Sequence, residues 1–305
     1  ATTVKQTYQQ SINADTEVTV TAGATQAIFS IISACINTGD EVIIFDPAYD
    51  SYGPAIRLAG GVPVPINLQY PSFTIDWARV RKSISAKTKM IMVNTPHNPS
   101  GAVLTTADMA TLQEIAEQHN LLVLSDEVYE RLVYDGHIHQ SVLLYPALAA
   151  RSFAVFSFGK TFHATGWKVG YIVAPQALTY EVRKAHQFTV FSVNTAVQQA
   201  LAIYLKNHAD LPSLKSFYEQ KRNFFLAQIA GSAFEVLPCH GAYFQLLSYR
   251  NIAGPPDIEM ATLLTQKFKI ASIPVSVFYT DKTDNKLLRF CFAKQDDTLR
   301  QAGSI

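Results

Sequence analysis

Lys160 stands in SFGKTFHATGWKVG (157–170), just past an apolar run, and its amine is a candidate nucleophile or proton carrier. Two more apolar runs end in polar residues. NTPHNPSG (94–101) uses two prolines and a glycine to fix a non-repetitive backbone, which aims Asn94 and Asn98. SDEVYE (125–130) sets the carboxylate of Asp126 directly after a buried run, with Tyr129 close behind. In TVTAGATQAIFSIISACI (19–36) a strand meets a Gly/Ala/Thr turn that opens an apolar helix. Free backbone N–H groups and the positive end of the helix dipole make such a turn a cradle for phosphate, to which Ser157 and Lys168 can add a hydroxyl and a positive charge.

The elements that must position these residues follow from the apolar pattern. EVIIF (41–45), MIMVN (90–94), LLVLS (121–125), FAVFS (153–157) and VGYIVA (169–174) are expected as strands of a parallel sheet buried on both faces. TTADMATLQEIAEQHN (105–120) spaces Ala107, Ala110, Leu112, Ile115 and Ala116 at helical intervals behind a Thr105/Asp108 cap, completing a β-α-β unit. The fold class predicted is therefore α/β, a mainly parallel sheet flanked by helices. In such sheets ligands bind beyond the carboxyl ends of the strands, so the polar tails are expected to share one site. After Val190 the texture changes to helical stretches at 194–207 and 212–230, then GAYFQLL (241–247), a helix near 257–268 and the strand LLRFCFA (287–293). A large domain over 1–208 and a smaller C-terminal α+β domain over 209–305 are expected.

Bulk properties narrow the function classes. Hydrophobic residues make up 48% and charged residues 16% of 305, which describes a globular chain with a large core rather than a disordered one. The net charge of +1, without a dense Lys/Arg run, gives no reason to expect nucleic acid or a membrane surface as partner. Cys35, Cys239 and Cys291 have no paired spacing, so neither a disulfide framework nor a zinc knuckle is signalled. A reducing, cytoplasmic setting is expected, since no basic-then-apolar leader and no membrane-length apolar run stands in the sequence.

Plainer readings stand beside the chemical ones. Taken alone, Lys160 is an exposed loop lysine, Asp126 a solvated charge at a strand end, and Arg289 in LLRFCFAK a structural ion-pair partner. GKT also fits the end of a nucleotide-binding P-loop, but the first glycine of that motif would fall at Ala154, inside an apolar strand. His137 and His139 form an H-x-H pair without Cys, Asp or Glu at ligand spacing, and surface-loop histidines are expected rather than a metal site. No catalytic role is assigned to His97 or His163, and Trp167 is expected to anchor packing.

The order and spacing of these motifs resemble the class I and II aminotransferases of fold type I over nearly the whole chain. The likeness is closest to the methionine, glutamine and kynurenine aminotransferase branch, whose specific pattern S-x-G-K-T-x-x-x-T-G-W-K-x-G is intact from Ser157 to Gly170. The resemblance implies pyridoxal 5′-phosphate as cofactor and ping-pong transfer of an amino group from an L-amino acid to a 2-keto acid. It implies that Lys160 forms the Schiff base and moves the substrate proton. Asp126 would keep the pyridine nitrogen protonated, and Asn98 and Tyr129 would bond the phenolic oxygen. Tyr49, in DPAYDSY, would stack on the ring, while Ala24, Thr25, Ser157 and Lys168 would hold the phosphate. Arg289 would grip the substrate α-carboxylate, a task suited to a planar guanidinium with two parallel donors.

The same resemblance implies a homodimer, because the cofactor site of the family lies at a subunit boundary. It also implies several dozen further residues ahead of the segment that opens this chain, and a longer C-terminus. Two alternatives remain open: a carbon–sulfur β-lyase, which uses the same residues, and a non-catalytic cofactor-binding effector domain of a regulator.

Overall fold

The computed structural model describes residues 1–207 and 213–305, and its larger unit is a seven-stranded sheet. The strands β1 (Val18–Thr21), β2 (Glu41–Asp46), β3 (Val62–Asn67), β4 (Thr88–Asn94), β5 (Leu122–Asp126), β6 (Ser152–Ser157) and β7 (Gly170–Val173) lie in the order β1-β7-β6-β5-β4-β2-β3. From β3 to β6 all neighbours are parallel. Alternation along β2 explains the unbroken apolar runs. Val42 and Ile44 join one core with Ala27, Ile28, Ile31 and Ile32 of the helix Ala24–Cys35. Ile43 and Phe45 join the other, with Met109, Leu112 and Ile115 of the helix Thr106–Gln118. Each such fully buried side chain contributes roughly 1.5–3 kcal/mol. The second helix opens on the expected cap: Thr105 Oγ1 accepts from the Asp108 N–H, and the Asp108 carboxylate accepts from the Thr105 N–H.

The run 169–174 departs from the expected parallel arrangement, since β7 is antiparallel to both β1 and β6. A parallel return needs a crossover long enough to travel back along the sheet. The connection from Ser157 to Gly170 holds only the short turns Phe158–Thr161 and Thr165–Trp167, so the chain must come back beside itself. That return keeps Lys160 at the carboxyl end of β6. Trp167 does not anchor it: the side chain is 54% exposed and its turn buries none of its residues.

Several elements were not anticipated, an edge strand and a long helix among them. β3, VPVPIN, contains prolines that lack ladder donors, yet it fits as an edge strand. The Val62 N–H points inward to the Asp40 carbonyl, so Pro63 and Pro65 turn their nitrogens outward. The helix Gln176–Thr189 lies ahead of Val190, where helical texture was expected to begin. It buries only Thr179, Val182 and His186, which leaves little apolar signal to read.

A second, antiparallel sheet has four strands, β8 (Glu235–Val236), β9 (Phe244–Ser248), β10 (Ile273–Pro274) and β11 (Leu287–Cys291), in the order β10-β11-β9-β8. The domain boundary expected near 209 and the helix start expected at 212 lie outside the described residues. This sheet is tied to the large one at the end of β2, where Asp46 accepts from the Thr280 N–H at 2.6 Å and the Ala48 N–H reaches the Phe278 carbonyl at 2.8 Å. No helix among the described residues is long and apolar enough to cross a membrane.

Gly170 lets β7 close against both β6 and the helix start at Ala24. A Cβ there would stand 2.5 Å from the Phe156 carbonyl oxygen and 3.2 Å from the Ala24 nitrogen. Gly170→Ala is expected to lower stability by about 1–3 kcal/mol, as overpacking does, read in a denaturant midpoint; an unchanged midpoint would contradict this packing.

Candidate active site

A cavity of about 250 Å³ opens at the carboxyl ends of β4, β5 and β6, and every site residue singled out in the sequence lines it. Asp126, the last residue of β5, is 5% exposed. Its Oδ2 accepts from the Tyr52 hydroxyl at 2.6 Å, and the Val128 N–H approaches Oδ1 at 3.4 Å. Burial pushes the Asp126 carboxyl up to about 6, against the pull of the Tyr52 hydroxyl, the Val128 N–H and the Lys160 charge. An anion so enclosed, with no cation bonded to it, fits a cationic ring nitrogen placed against it. The half-buried Tyr49 ring stands edge-on to Tyr52, with centroids 5.7 Å apart.

Lys160 reaches the cavity from the connection after β6. Its Nζ donates to the Tyr243 hydroxyl at 2.9 Å and lies 5.5 Å and 5.4 Å from the ring centres of Tyr129 and Tyr243. Tyr129 is 3% exposed, and burial, followed by the neighbouring Tyr243, raises its hydroxyl well above the ordinary phenol range.

Arg289 comes from β11. Its guanidinium carbon lies 4.0 Å from the Phe244 ring centre and 5.0 Å from that of Phe278, a pairing that holds the group flat. One guanidinium nitrogen donates to Asn98 Oδ1 at 2.6 Å. Asn98 is itself set by Asn94, whose Oδ1 accepts from the Asn98 N–H at 2.8 Å while its Nδ2 donates to the Asp126 carbonyl at 2.8 Å. The NTPHNPSG loop thus links the anion, the guanidinium and the amide in one hydrogen-bonded run.

The opposite wall is the N-terminus of the helix Ala24–Cys35. Gly23 caps it at φ 82, and no acidic residue stands in the first turn. The positive φ favours glycine at position 23, and Lys168 Nζ lies against it, 3.5 Å from where a Cβ would stand. Ser157, at the end of β6, faces the same cavity, as do Ala24 and Thr25. Free N–H groups, a hydroxyl and an ammonium around one pocket corner are a donor set suited to phosphate.

Sequence reasoning missed Tyr52, Tyr243, Phe244 and Phe278. Tyr52 lies in the quoted DPAYDSY and Tyr243 in GAYFQLL, so their stretches were in view, but nothing in a strand-like run marks which aromatic faces a site. His139 is a correction. Instead of lying in a surface loop, its Nε2 pairs with Glu127 Oε2 at 2.9 Å, and Glu127 is fully buried. His137 instead stacks on His240, with centroids 4.3 Å apart.

Because folding raises the Asp126 pKa, the folded protein holds that proton more tightly than the unfolded chain. Stability therefore falls as pH climbs from about 4 to about 6, and the full penalty persists above that. Asp126→Asn removes the charge. The ligand-free variant is expected to be more stable than wild type at pH 8, by on the order of 2–3 kcal/mol, with the gap closing near pH 4. Equal stabilities at pH 8 would contradict the buried charge.

Comparison with known proteins agrees with this geometry. The profile of the family "Aminotransferase class I and II" matches residues 1–303. The methionine aminotransferase of Escherichia coli (strain K12) is 46% identical over 296 residues, 97% of this chain and 77% of that protein. The kynurenine–oxoglutarate transaminase 3 of Homo sapiens is 34% identical over 328 residues, 98% of this chain and 72% of that protein. A crystal structure from Escherichia coli, described as identifying a methionine aminotransferase function, superposes with a TM-score of 0.98 at 45% identity, covering 100% of this chain and 81% of its own. The chain belongs to the class I and II aminotransferases, a pyridoxal-phosphate-dependent family, and it is an amino acid transaminase.

Proposed function

We propose that the protein binds pyridoxal 5′-phosphate in this cavity and moves the amino group of an L-amino acid with an uncharged side chain to a 2-keto acid. One observation carries the reading: a buried carboxylate without a cation, a lysine amine and a guanidinium converge from three separate elements on one cavity. When bound, the cofactor supplies an electron sink for the substrate α-carbon. Asp126 holds the ring nitrogen in its protonated form, because a charge pair in that buried setting favours both ions. Lys160 carries the cofactor covalently at rest and, once displaced, moves a proton at Nζ. Asn98 and Tyr129 donate to the phenolic oxygen, and Tyr49 packs flat on the ring. The N–H groups at Ala24 and Thr25, the Ser157 hydroxyl and the Lys168 ammonium bind the phosphate. Arg289 binds the α-carboxylate, its plane already set by Phe244 and Phe278.

The choice of side chain follows from charge. Lys160, Lys168 and Arg289 are the cations of the cavity, and each has a task; the rest of the wall includes Ile28, Tyr49 and Phe244. Methionine, glutamine, aromatic amino acids and kynurenine suit such a wall, and the names of the bacterial and human relatives support the same range. Cys35, Cys239 and Cys291 are free thiols, which supports work in the cytoplasm.

Borohydride reduction of the holoenzyme is expected to fix the cofactor on the peptide containing Lys160, and keto acid formation from these amino acids is expected to require a keto acid acceptor. A label elsewhere would sink the assignment of Lys160; pyruvate and ammonia released without acceptor would mark a β-lyase instead.

We propose further that the protein acts as a homodimer. Phe188 is 86% exposed, Phe191 79%, Ile203 61% and Trp167 54%, large apolar side chains that a second copy of the chain would cover. Light scattering is expected to give twice the chain mass, and an active monomer would refute it.

A further inference from the structure

Tyr243 belongs to none of the sequence motifs, yet it touches the amine on which the proposed chemistry turns. It stands immediately before β9, where its ring is edge-on to Tyr129 at 5.2 Å, 4.7 Å from Phe244 and 6.0 Å from Tyr218. The aromatic contacts hold it from several sides. Its oxygen accepts from Lys160 Nζ at 2.9 Å. The same Nζ lies between two phenol rings, 5.4 Å from the centre of Tyr243 and 5.5 Å from that of Tyr129.

We propose that Tyr243 is a further catalytic residue of the transamination: its hydroxyl holds the displaced Lys160 amine in place. The proposal rests on the reading of Lys160 given above. In the step it serves, the Nζ lone pair takes the proton from the substrate α-carbon and later gives it back, while a bound cofactor would take up the electron pair of the broken C–H bond, so the balance needs no other reactant. A lysine has a flexible four-carbon stem, and an amine free to wander would meet the α-proton rarely. Tyr243 restricts it. The neighbouring strand of the same small sheet carries Arg289, paired in register with Leu246, so the carboxylate grip and the hold on the amine sit on one rigid element. A substrate seated on Arg289 is thereby indexed to the base.

Tyr243→Phe removes the hydroxyl and keeps the ring contacts. In the variant, borohydride is expected still to label Lys160, while kcat falls about tenfold, the size of one ordinary hydrogen bond, and KM stays within about twofold. The isotope effect with α-deuterated amino acid is expected to rise, because proton transfer becomes more limiting. Tyr218→Phe is the control for packing: its hydroxyl faces His163 at 3.3 Å, and its removal is expected to leave kcat and the isotope effect at wild-type values. A wild-type kcat and isotope effect in Tyr243→Phe would overturn this inference alone, as would equal shifts in Tyr218→Phe. A borohydride label away from Lys160 in the wild-type protein would overturn the reading of Lys160, and this inference with it.

Discussion

The burial of Asp126 is the constraint around which the rest of the site is arranged. A carboxylate 5% exposed is costly to keep charged, and the surroundings offset only part of that cost, leaving the group pushed up to about 6. Tyr52 bonds one oxygen, Asn94 fixes the main chain of the same residue, and Lys160 contributes a favourable charge nearby. None of these is a cation in contact. The folded protein thus holds a buried anion whose cost a cation placed against it would remove.

That burial is possible because the sheet is parallel where it must be. β4, β5 and β6 point their carboxyl ends the same way and are covered on both faces, so Asn94, Asp126 and Ser157 arrive side by side at a shielded edge. The chain then breaks the parallel pattern. The short return into the antiparallel β7 holds Lys160 and Lys168 at that edge, whereas a full crossover would have carried them away. Gly170 completes the arrangement by letting strand and helix start approach to distances that a side chain would prevent, and Gly23 by taking a positive φ at the helix cap.

The small sheet adds what the large one lacks. Through the contacts of Asp46 and Ala48 with the segment around Phe278, it brings Arg289 and Tyr243 over the cavity, and Asn98 joins the two sheets by bonding Arg289. The Arg289 guanidinium and the Tyr243 hydroxyl therefore belong to a unit distinct from the one that buries Asp126. Movement of one sheet against the other would change both together.

The sequence by itself determined the α/β architecture, most of the strands, the capped helix Thr106–Gln118 and the residues around the cavity. Those features are written in apolar runs, in cap chemistry and in a motif, Ser157 to Gly170, whose spacing is local. Tertiary structure alone decided the direction of β7, the place of the proline-bearing β3 at an edge, and the pairing of His139 with buried Glu127. It also decided which of many tyrosines matter. Tyr52 and Tyr243 are distant in sequence from Asp126 and Lys160, and an aromatic in an apolar stretch reads the same whether its hydroxyl faces solvent, core or site. Packing within the large unit brings the Tyr52 hydroxyl to Asp126, and the small sheet brings the Tyr243 hydroxyl to Lys160; such contacts depend on distances that no local pattern encodes.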